Sequence, residues 1–351
     1  MNNQPFVSIV IPCRNEEVCI VQCLDSIIAN DYEKDRLEIL VVDGRSEDGT
    51  REIVERLAQR YPFIRLLDNP KKITPVALNI GITKATGDII MRVDAHARLK
   101  KDYILRCVES LNKYGADNVG GIMKTLPQGG GLLGEAIVLS LSHRFGVGNS
   151  YFRTHTSTPK WVDTVFGGCY RNDVFQKVGL FNEALARGQD IEFNLRLKKA
   201  GGRTLLVPDI VTYYYYARSD LRSFWKHSWT NGVWAILPFL YSPIMPVAWR
   251  HLVPLAYVFG LLGSVTLGLL WPPFLWLWLA IVTVYGLASL AASFQIAWRE
   301  RGPRYLAVMP LAFAMLHFAY GLGSVWGVVK AARHMVVTFF RKKKQLGAVV
   351  P

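Results

Sequence analysis

Gly87-Asp88-Ile89-Ile90-Met91-Arg92-Val93-Asp94-Ala95-His96-Ala97 reads as a turn glycine, a short buried apolar strand and then an abrupt polar cluster. Open α/β sheets bind their ligands just past the carboxyl ends of the strands. In an extended chain alternate side chains share one side, so Asp94 and His96 are free to converge on a single cation. A carboxylate oxygen beside an imidazole nitrogen suits Mn2+ or Mg2+. An aspartate that closes a strand is also a common turn former. The stretch alone leaves both readings open, and its neighbours must decide between them.

Upstream, Phe6-Val7-Ser8-Ile9-Val10-Ile11-Pro12 is a continuous apolar run rich in β-branched residues, the pattern of a strand buried on both faces. Asn15 is the expected N-cap of a helix reaching Ile28. Residues 37–42 form a second strand, followed by the turn chemistry of Asp43-Gly44-Arg45-Ser46-Glu47-Asp48-Gly49-Thr50 and a helix expected to start near Ser46 or Asp48. Residues 64–67 give a third strand, and Thr74-Pro75 opens a further helix. This repeated alternation predicts an α/β, Rossmann-like domain with a mostly parallel sheet and helices on both faces. Asp43 and Asp94 then fall at the same end of that sheet. No G-x-G-x-x-G follows the first strand, which argues against a dinucleotide-dependent dehydrogenase.

The hydropathy is uneven. Residues 252–298 contain no Asp, Glu, Lys or Arg, and neither do residues 306–329. A bilayer span needs roughly 20 apolar residues, so three spans are expected, at 252–270, 274–296 and 306–329. The net charge of +14 is concentrated beside them: after residue 231, Glu300 is the only acid among many Lys and Arg. Such charges meet anionic lipid headgroups, and no basic face suited to nucleic acid is evident. Met1 to Pro5 is polar and residues 6–11 are too short for a signal core, so the N-terminal domain is expected to stay in the cytoplasm. The five cysteines lack zinc spacing and read as reduced, buried thiols.

The order Ser8-Ile9-Val10-Ile11-Pro12, Val41-Val42-Asp43-Gly44-Arg45-Ser46-Glu47-Asp48-Gly49-Thr50, Ala77-Leu78-Asn79-Ile80-Gly81 and Gly87 through His96 resembles a family 2 glycosyltransferase of the GT-A fold. Val162-Asp163-Thr164-Val165-Phe166-Gly167-Gly168-Cys169-Tyr170-Arg171 and Gly188-Gln189-Asp190-Ile191-Glu192-Phe193-Asn194-Leu195-Arg196-Leu197 continue the match. Within the family the chain is similar to the membrane-attached, succinoglycan ExoA-like branch.

That resemblance implies a nucleotide-sugar site. Asp43 resembles the aspartate that accepts the uracil imide N–H of a UDP-sugar. Pro12, Arg14 and Glu16 resemble the loop beside ribose and base; the plain alternative for Glu16 and Glu17 is charge compensation at a helix start. Asn79, Arg92 and Ala95 join the nucleotide-sugar set. Asp94-Ala95-His96 occupies the D-x-D position, whose metal bridges the diphosphate, with His96 where the family usually has Asp. Lys71 and Lys72 read either as phosphate ligands or as solvated loop charges. Asp190, in the first turn of a helix, is the implied general base; N-capping is its structural alternative, and Glu192 is the alternative catalytic carboxylate. Gln189 replaces the usual Glu before it. Gly167 and Gly168 are expected between a strand and a helix and, with Gln189 and Trp229, on the acceptor side.

Residues 1–231 are thus expected to form a cytoplasmic GT-A domain. Its end, 220–246, reads as an interfacial amphipathic segment containing Trp225, Trp229 and Trp234. Residues 247–351 form the transmembrane region with its basic tail. The processive Q-x-x-R-W motif is missing; only Lys226-His227-Ser228-Trp229 stands there. The expected activity is inverting, metal-dependent transfer of one sugar from a UDP-sugar to a lipid-linked acceptor. Transfer to polyprenyl phosphate and a non-catalytic nucleotide-binding scaffold are the alternatives. Oligomeric state is not legible.

Overall fold

The computed structural model describes residues 4–216, 220–244 and 247–347. It comprises two compact units, residues 1–126 with 150–216 and residues 127–149 with 217–351. The chain passes from one unit to the other after Leu126, after Asn149 and after Tyr216. The long helix expected at the end of the catalytic domain goes with the second unit, and so does the excursion 127–149.

Among the described residues the first unit carries nine strands: β1 (Val7–Cys13), β2 (Leu37–Asp43), β3 (Ile64–Asp68), β4 (Ile89–Arg92), β5 (Ala97–Leu99), β6 (Asn118–Pro127), β7 (Lys160–Val162), β8 (Cys169–Arg171) and β9 (Thr204–Tyr216). They form one sheet in the order β3-β2-β1-β4-β8-β6-β9-β5, with β7 on β9. β3, β2, β1 and β4 are mutually parallel, as the strand–helix alternation predicts. From β4 onward the pairings β4–β8, β6–β8, β5–β9 and β7–β9 are antiparallel, so the sheet is mixed rather than mostly parallel. β5, β7 and β8 have three residues each, too few to show a strand period in the sequence.

Four helices lie between the early strands: α1 (Ile20–Ile28), α2 (Thr50–Arg60), α3 (Thr74–Lys84) and α4 (Tyr103–Tyr114). α5 (Leu132–Ser140) and α6 (Arg144–Val147) belong to the second unit; α7 (Tyr151–Thr154), α8 (Asp173–Val178) and α9 (Gln189–Lys199) return to the first. The period-2 geometry of β1 explains the layers. Val7, Ile9 and Ile11 pack with Ile20, Leu24 and Ile27 of α1, Val54 of α2 and Ile104 of α4. Val10, between them, packs on the other face with Ala77 and Leu78 of α3, Val174 of α8 and Phe193 of α9. Each such fully buried aliphatic side chain contributes about 1.5–3 kcal/mol, which is why a continuous apolar run marks this strand.

The first helix starts later than expected. Asn15 has a left-handed backbone, φ +54°, and its side chain accepts from Glu47 N rather than capping α1. The loop after β1 is tied to the loop after β2 instead: Asn15 N donates to Ser46 Oγ, Glu16 N to Thr50 Oγ1 and Glu17 N to Asp48 Oδ2.

The second unit adds α10 (Leu221–Ile236), α11 (Trp249–Leu270), α12 (Phe274–Arg299) and α13 (Tyr305–Gly347). Three segments, Trp249–Leu270, Phe274–Arg299 and Tyr305–Thr338, are long and apolar enough to cross a membrane. α10 packs tightly on α13. A Cβ on Gly232 would lie 1.9 Å from the Tyr320 carbonyl oxygen, and one on Gly323 would lie 2.2 Å from that of Trp229. Small residues of this kind let helix backbones approach closely. Within the expected interfacial segment 220–246, α10 is followed by a 3-10 turn, Leu237–Leu240, and Met245 and Pro246 lie outside the described residues.

Candidate active site

A cleft of about 220 Å³ opens in the first unit where the loops after β1, β2 and β4 meet the start of α9. Pro12, Arg14 and Glu16 line it from the first loop, and Gly44 from the second. Arg92, Asp94, Ala95 and His96 line it from the end of β4, and Gln189 from α9. Lys72 also faces it, whereas Lys71 is held outside by Glu183 at 2.8 Å. Lys72 also lies 3.6 Å from Glu47.

Arg92 is the centre of the charge arrangement, with its side chain only 10% exposed. Its Nε and Nη2 donate to Asp94 Oδ1 at 3.1 and 3.0 Å. Its Nη1 lies 3.0 Å from Asp190 Oδ1, at ion-pair distance but out of hydrogen-bond alignment. Burial works against the Arg92 charge, and the two carboxylates more than offset it, so its pKa is raised. Burial alone would push the Asp94 carboxyl up; Arg92 and then His96 overcome this and hold it below the ordinary value.

His96 Nδ1 lies 2.9 Å from Glu16 Oε1, and the ring meets Tyr214 edge-on at 4.6 Å. Both Arg92 bonds to Asp94 fall on Oδ1, leaving Oδ2 outside them. No group of three or more His, Cys, Asp and Glu able to hold a metal exists among the described residues. An Asp–His pair is nevertheless a fitting donor set for an ion whose other positions go to diphosphate oxygens and water, the usual arrangement for Mg2+ at phosphate sites.

Asp43 sits at the end of β2, fully buried and behind Gly44 rather than on the cleft wall. Its carboxylate accepts from Ser46 N, Ser46 Oγ and Arg51 Nη1. A carboxylate offers about four acceptor sites, which leaves one. Asn79 is not in the cleft. It clamps a distant loop, donating to Phe181 O and Glu183 Oε1 and accepting from Phe181 N.

Asp190 is the second residue of α9, with Gly188 as N-cap, so Asp190 does not cap the helix. Glu192, the alternative carboxylate, is 2% exposed and bound through both oxygens by Arg196 at 2.9 Å, away from the cleft lining. α9 is fixed by a buried amide network unnoticed in the sequence. Asn194 Oδ1 accepts from Asn118 Nδ2 at 2.9 Å, and Asn194 Nδ2 donates to Thr164 Oγ1 at 3.1 Å. Conspicuously polar residues at a buried helical position are the signal that was available.

Gly167 and Gly168 precede β8 directly, between two strands rather than between a strand and a helix. At φ +72°, Gly167 would carry its Cβ 2.8 Å from the Arg92 carbonyl oxygen. Gly168 O accepts from Arg92 N at 2.9 Å. The missing side chain of Gly167 admits the β4 backbone, and that of Gly168 admits the Tyr170 ring, 2.5 Å from where its Cβ would stand. Trp229 lies on α10, in the other unit. No disulfide joins the five cysteines, and burial raises the thiols of Cys13 and Cys23.

Residues 8–178 match the family described as glycosyl transferase family 2. The chain is 31% identical over 333 residues to succinoglycan biosynthesis protein ExoA of Rhizobium meliloti (strain 1021), covering 90% of this chain and 92% of that protein. It is 28% identical over 333 residues to a dolichyl N-acetyl-alpha-D-glucosaminyl phosphate 3-beta-D-2,3-diacetamido-2,3-dideoxy-beta-D-glucuronosyltransferase of Methanococcus voltae, covering 93% of this chain and 98% of that enzyme. Among solved structures it resembles the mannosyltransferase PcManGT of Pyrobaculum calidifontis in complex with GDP-Man and Mn2+. The TM-score is 0.59 at 20% identity, covering 93% of this chain and 88% of that one. The mixed sheet with helices on both faces is the GT-A fold, and the chain belongs to glycosyl transferase family 2.

Proposed function

We propose that the protein is an inverting, cation-dependent glycosyltransferase that moves one sugar from a nucleotide donor, a UDP-sugar, to a lipid-linked acceptor at the cytoplasmic face of a membrane. The observation that carries this reading is the Asp94–Arg92–Asp190 chain: one buried guanidinium pairs with a carboxylate of the cleft wall after β4 and with one in the first turn of α9, next to Gln189 of that wall. The two carboxylates serve opposite ends of one displacement. Asp190 takes the proton of the acceptor hydroxyl as its oxygen attacks the anomeric carbon. Asp94 and His96 are the residues that would hold a divalent cation, Mn2+ or Mg2+, which would supply positive charge to neutralise the leaving diphosphate. Lys72 and Arg14 add positive charge along the cleft. A single displacement inverts the anomeric centre.

Support for a lipid-linked acceptor comes from the three long apolar helices and from the names of the relatives. An enzyme held at the bilayer meets a membrane-held acceptor at raised effective concentration. The test is nucleotide release from a panel of UDP-sugars, with GDP-sugars as controls, in membrane lipid extract with and without Mn2+. Release that needs extract, one UDP-sugar and the cation is expected. Release indifferent to all three would sink the reading.

A further inference from the structure

On the face of the sheet turned away from the cleft, one tyrosine ring gathers two cations. Arg98 of β5 is paired directly with Tyr213 of β9, and β6, which carries Lys124, is the next strand on the other side of β9. The Arg98 guanidinium carbon lies 5.1 Å from the centre of the Tyr213 ring, and Lys124 Nζ lies 6.0 Å from it. Neighbouring residues of a strand point to opposite faces. Ala97, Leu99 and Thr212 are buried and the Tyr214 ring meets His96 of the cleft, so Arg98 and Tyr213 stand on the far face. Arg98 and Lys124 are exposed. Nearby Lys100, Lys101 and Arg106 each have an aspartate partner, whereas Arg98 and Lys124 pair with no carboxylate among the described residues.

Like charges brought to one ring repel each other, and a shared anion relieves that repulsion. The course of the chain indicates which anion is within reach. Lys124 stands two residues before Leu126 and Tyr213 three before Tyr216, the last residues of the first unit before the chain passes into the second. At about 3.3 Å per residue, both lie within roughly 10 Å of those passages. The second unit holds the helices long and apolar enough to cross a membrane. A tyrosine flanked by an arginine and a lysine suits the headgroup layer of a bilayer, where the ring enters the apolar boundary and the cations meet phosphates. We infer that the Arg98–Tyr213–Lys124 patch is a headgroup-binding surface of the first unit, seated on anionic phospholipid.

A nucleic acid calls for a stripe of cations along a face, and this patch has two. A phospholipid leaflet offers both things the patch lacks, an anion for the two cations and an apolar boundary for the ring. The surface lies apart from the cleft and does not depend on which sugar is moved or on the role of Asp190. It adds a reversible, salt-sensitive hold on the leaflet to the covalent one that the chain already provides.

The experiment uses the full chain in lipid nanodiscs, of phosphatidylcholine alone or of phosphatidylcholine mixed with phosphatidylglycerol. Exposed lysines are acetylated in a brief pulse and the extent at each is read by mass spectrometry. Lys84 and Lys113, exposed elsewhere in the same unit, are the internal references. Lys124 should react about fivefold more slowly in the anionic discs, the gain of one charge near such a surface, while Lys84 and Lys113 keep their rates. The protection should fade in about 1 M NaCl, where the screening length is about 3 Å. Arg98→Gln should weaken it at low salt. Equal Lys124 rates in the two discs, or a fall shared by the reference lysines, overturns the patch. Protection by glycerol phosphate or polyuridylate added to neutral discs, with none from phosphatidylglycerol, overturns the lipid assignment in favour of a free phosphate or a nucleic acid. The wild-type comparison decides the matter even if the variant does not fold.

Discussion

Arg92 Nη1 stands 3.0 Å from Asp190 Oδ1, joining the end of a strand to the start of a helix through a buried charge. The same guanidinium binds Asp94, so removing it leaves two carboxylates uncompensated. Arg92→Met is expected to cost about 3–5 kcal/mol, as breaking a buried ion pair does, and to abolish transfer. Thermal unfolding and kcat/KM measured together check this; a variant with wild-type midpoint and turnover would show the pair to be idle.

Asp190→Asn keeps the size and removes the basicity. Turnover should fall by about 10²–10⁴-fold, the range for positioned acid–base groups, while nucleotide binding by calorimetry stays unchanged. Wild-type turnover in this variant would exclude Asp190 as the base.

The Glu16–His96 pair has the form of a carboxylate that orients a ligating imidazole. Glu16→Gln should weaken Mn2+ binding about 10–100-fold, the usual effect of losing such a partner. Electron paramagnetic resonance titration in the presence of UDP reads this without any turnover. Unchanged Mn2+ affinity would free Glu16 for a purely ribose-side role.

Glu38 gives a pH dependence unrelated to catalysis. Burial would raise its carboxyl, but bonds from Ser8, Thr86 and Arg65 together outweigh that and lower it from the ordinary 4.5. A depressed folded-state pKa contributes stability that is fully present above the unfolded value and lost as pH falls through the folded one. Glu38→Gln should therefore be less stable than wild type at pH 7, by about 1–3 kcal/mol, and the gap should close below pH 4. A gap that is constant from pH 7 to pH 3 would contradict the assignment.

The parallel half of the sheet was readable because β1, β2 and β4 are apolar runs bounded by turn chemistry, and each signal lies within a few neighbouring residues. The ends of those runs also displayed Asp94, His96 and Asp43. What escaped was long-range. Asn79 looked like part of a nucleotide motif, yet its partners Phe181 and Glu183 are more than a hundred residues away. Gly167 looked like room for a substrate, and only the folded chain reveals that Arg92's carbonyl fills that room. Asp190 and Glu192 are both carboxylates, two residues apart in sequence. Arg196, one turn further on, takes Glu192 out of contention.

Residues 127–149 leave the first unit after β6 and rejoin it at Ser150, having packed with the second unit's helices in between. Ala136 of α5 is buried with Ala292, Ile296, Met309 and Phe313, and Glu135 binds Arg304 and Tyr305. The polypeptide therefore passes between the units three times rather than once. A protease cut or stop codon after Tyr216 would release a fragment that still bears α5, now stripped of its cover and prone to aggregate. Anyone wishing to crystallise the first unit alone must also excise this excursion and bridge Leu126 to Ser150 with a short polar linker.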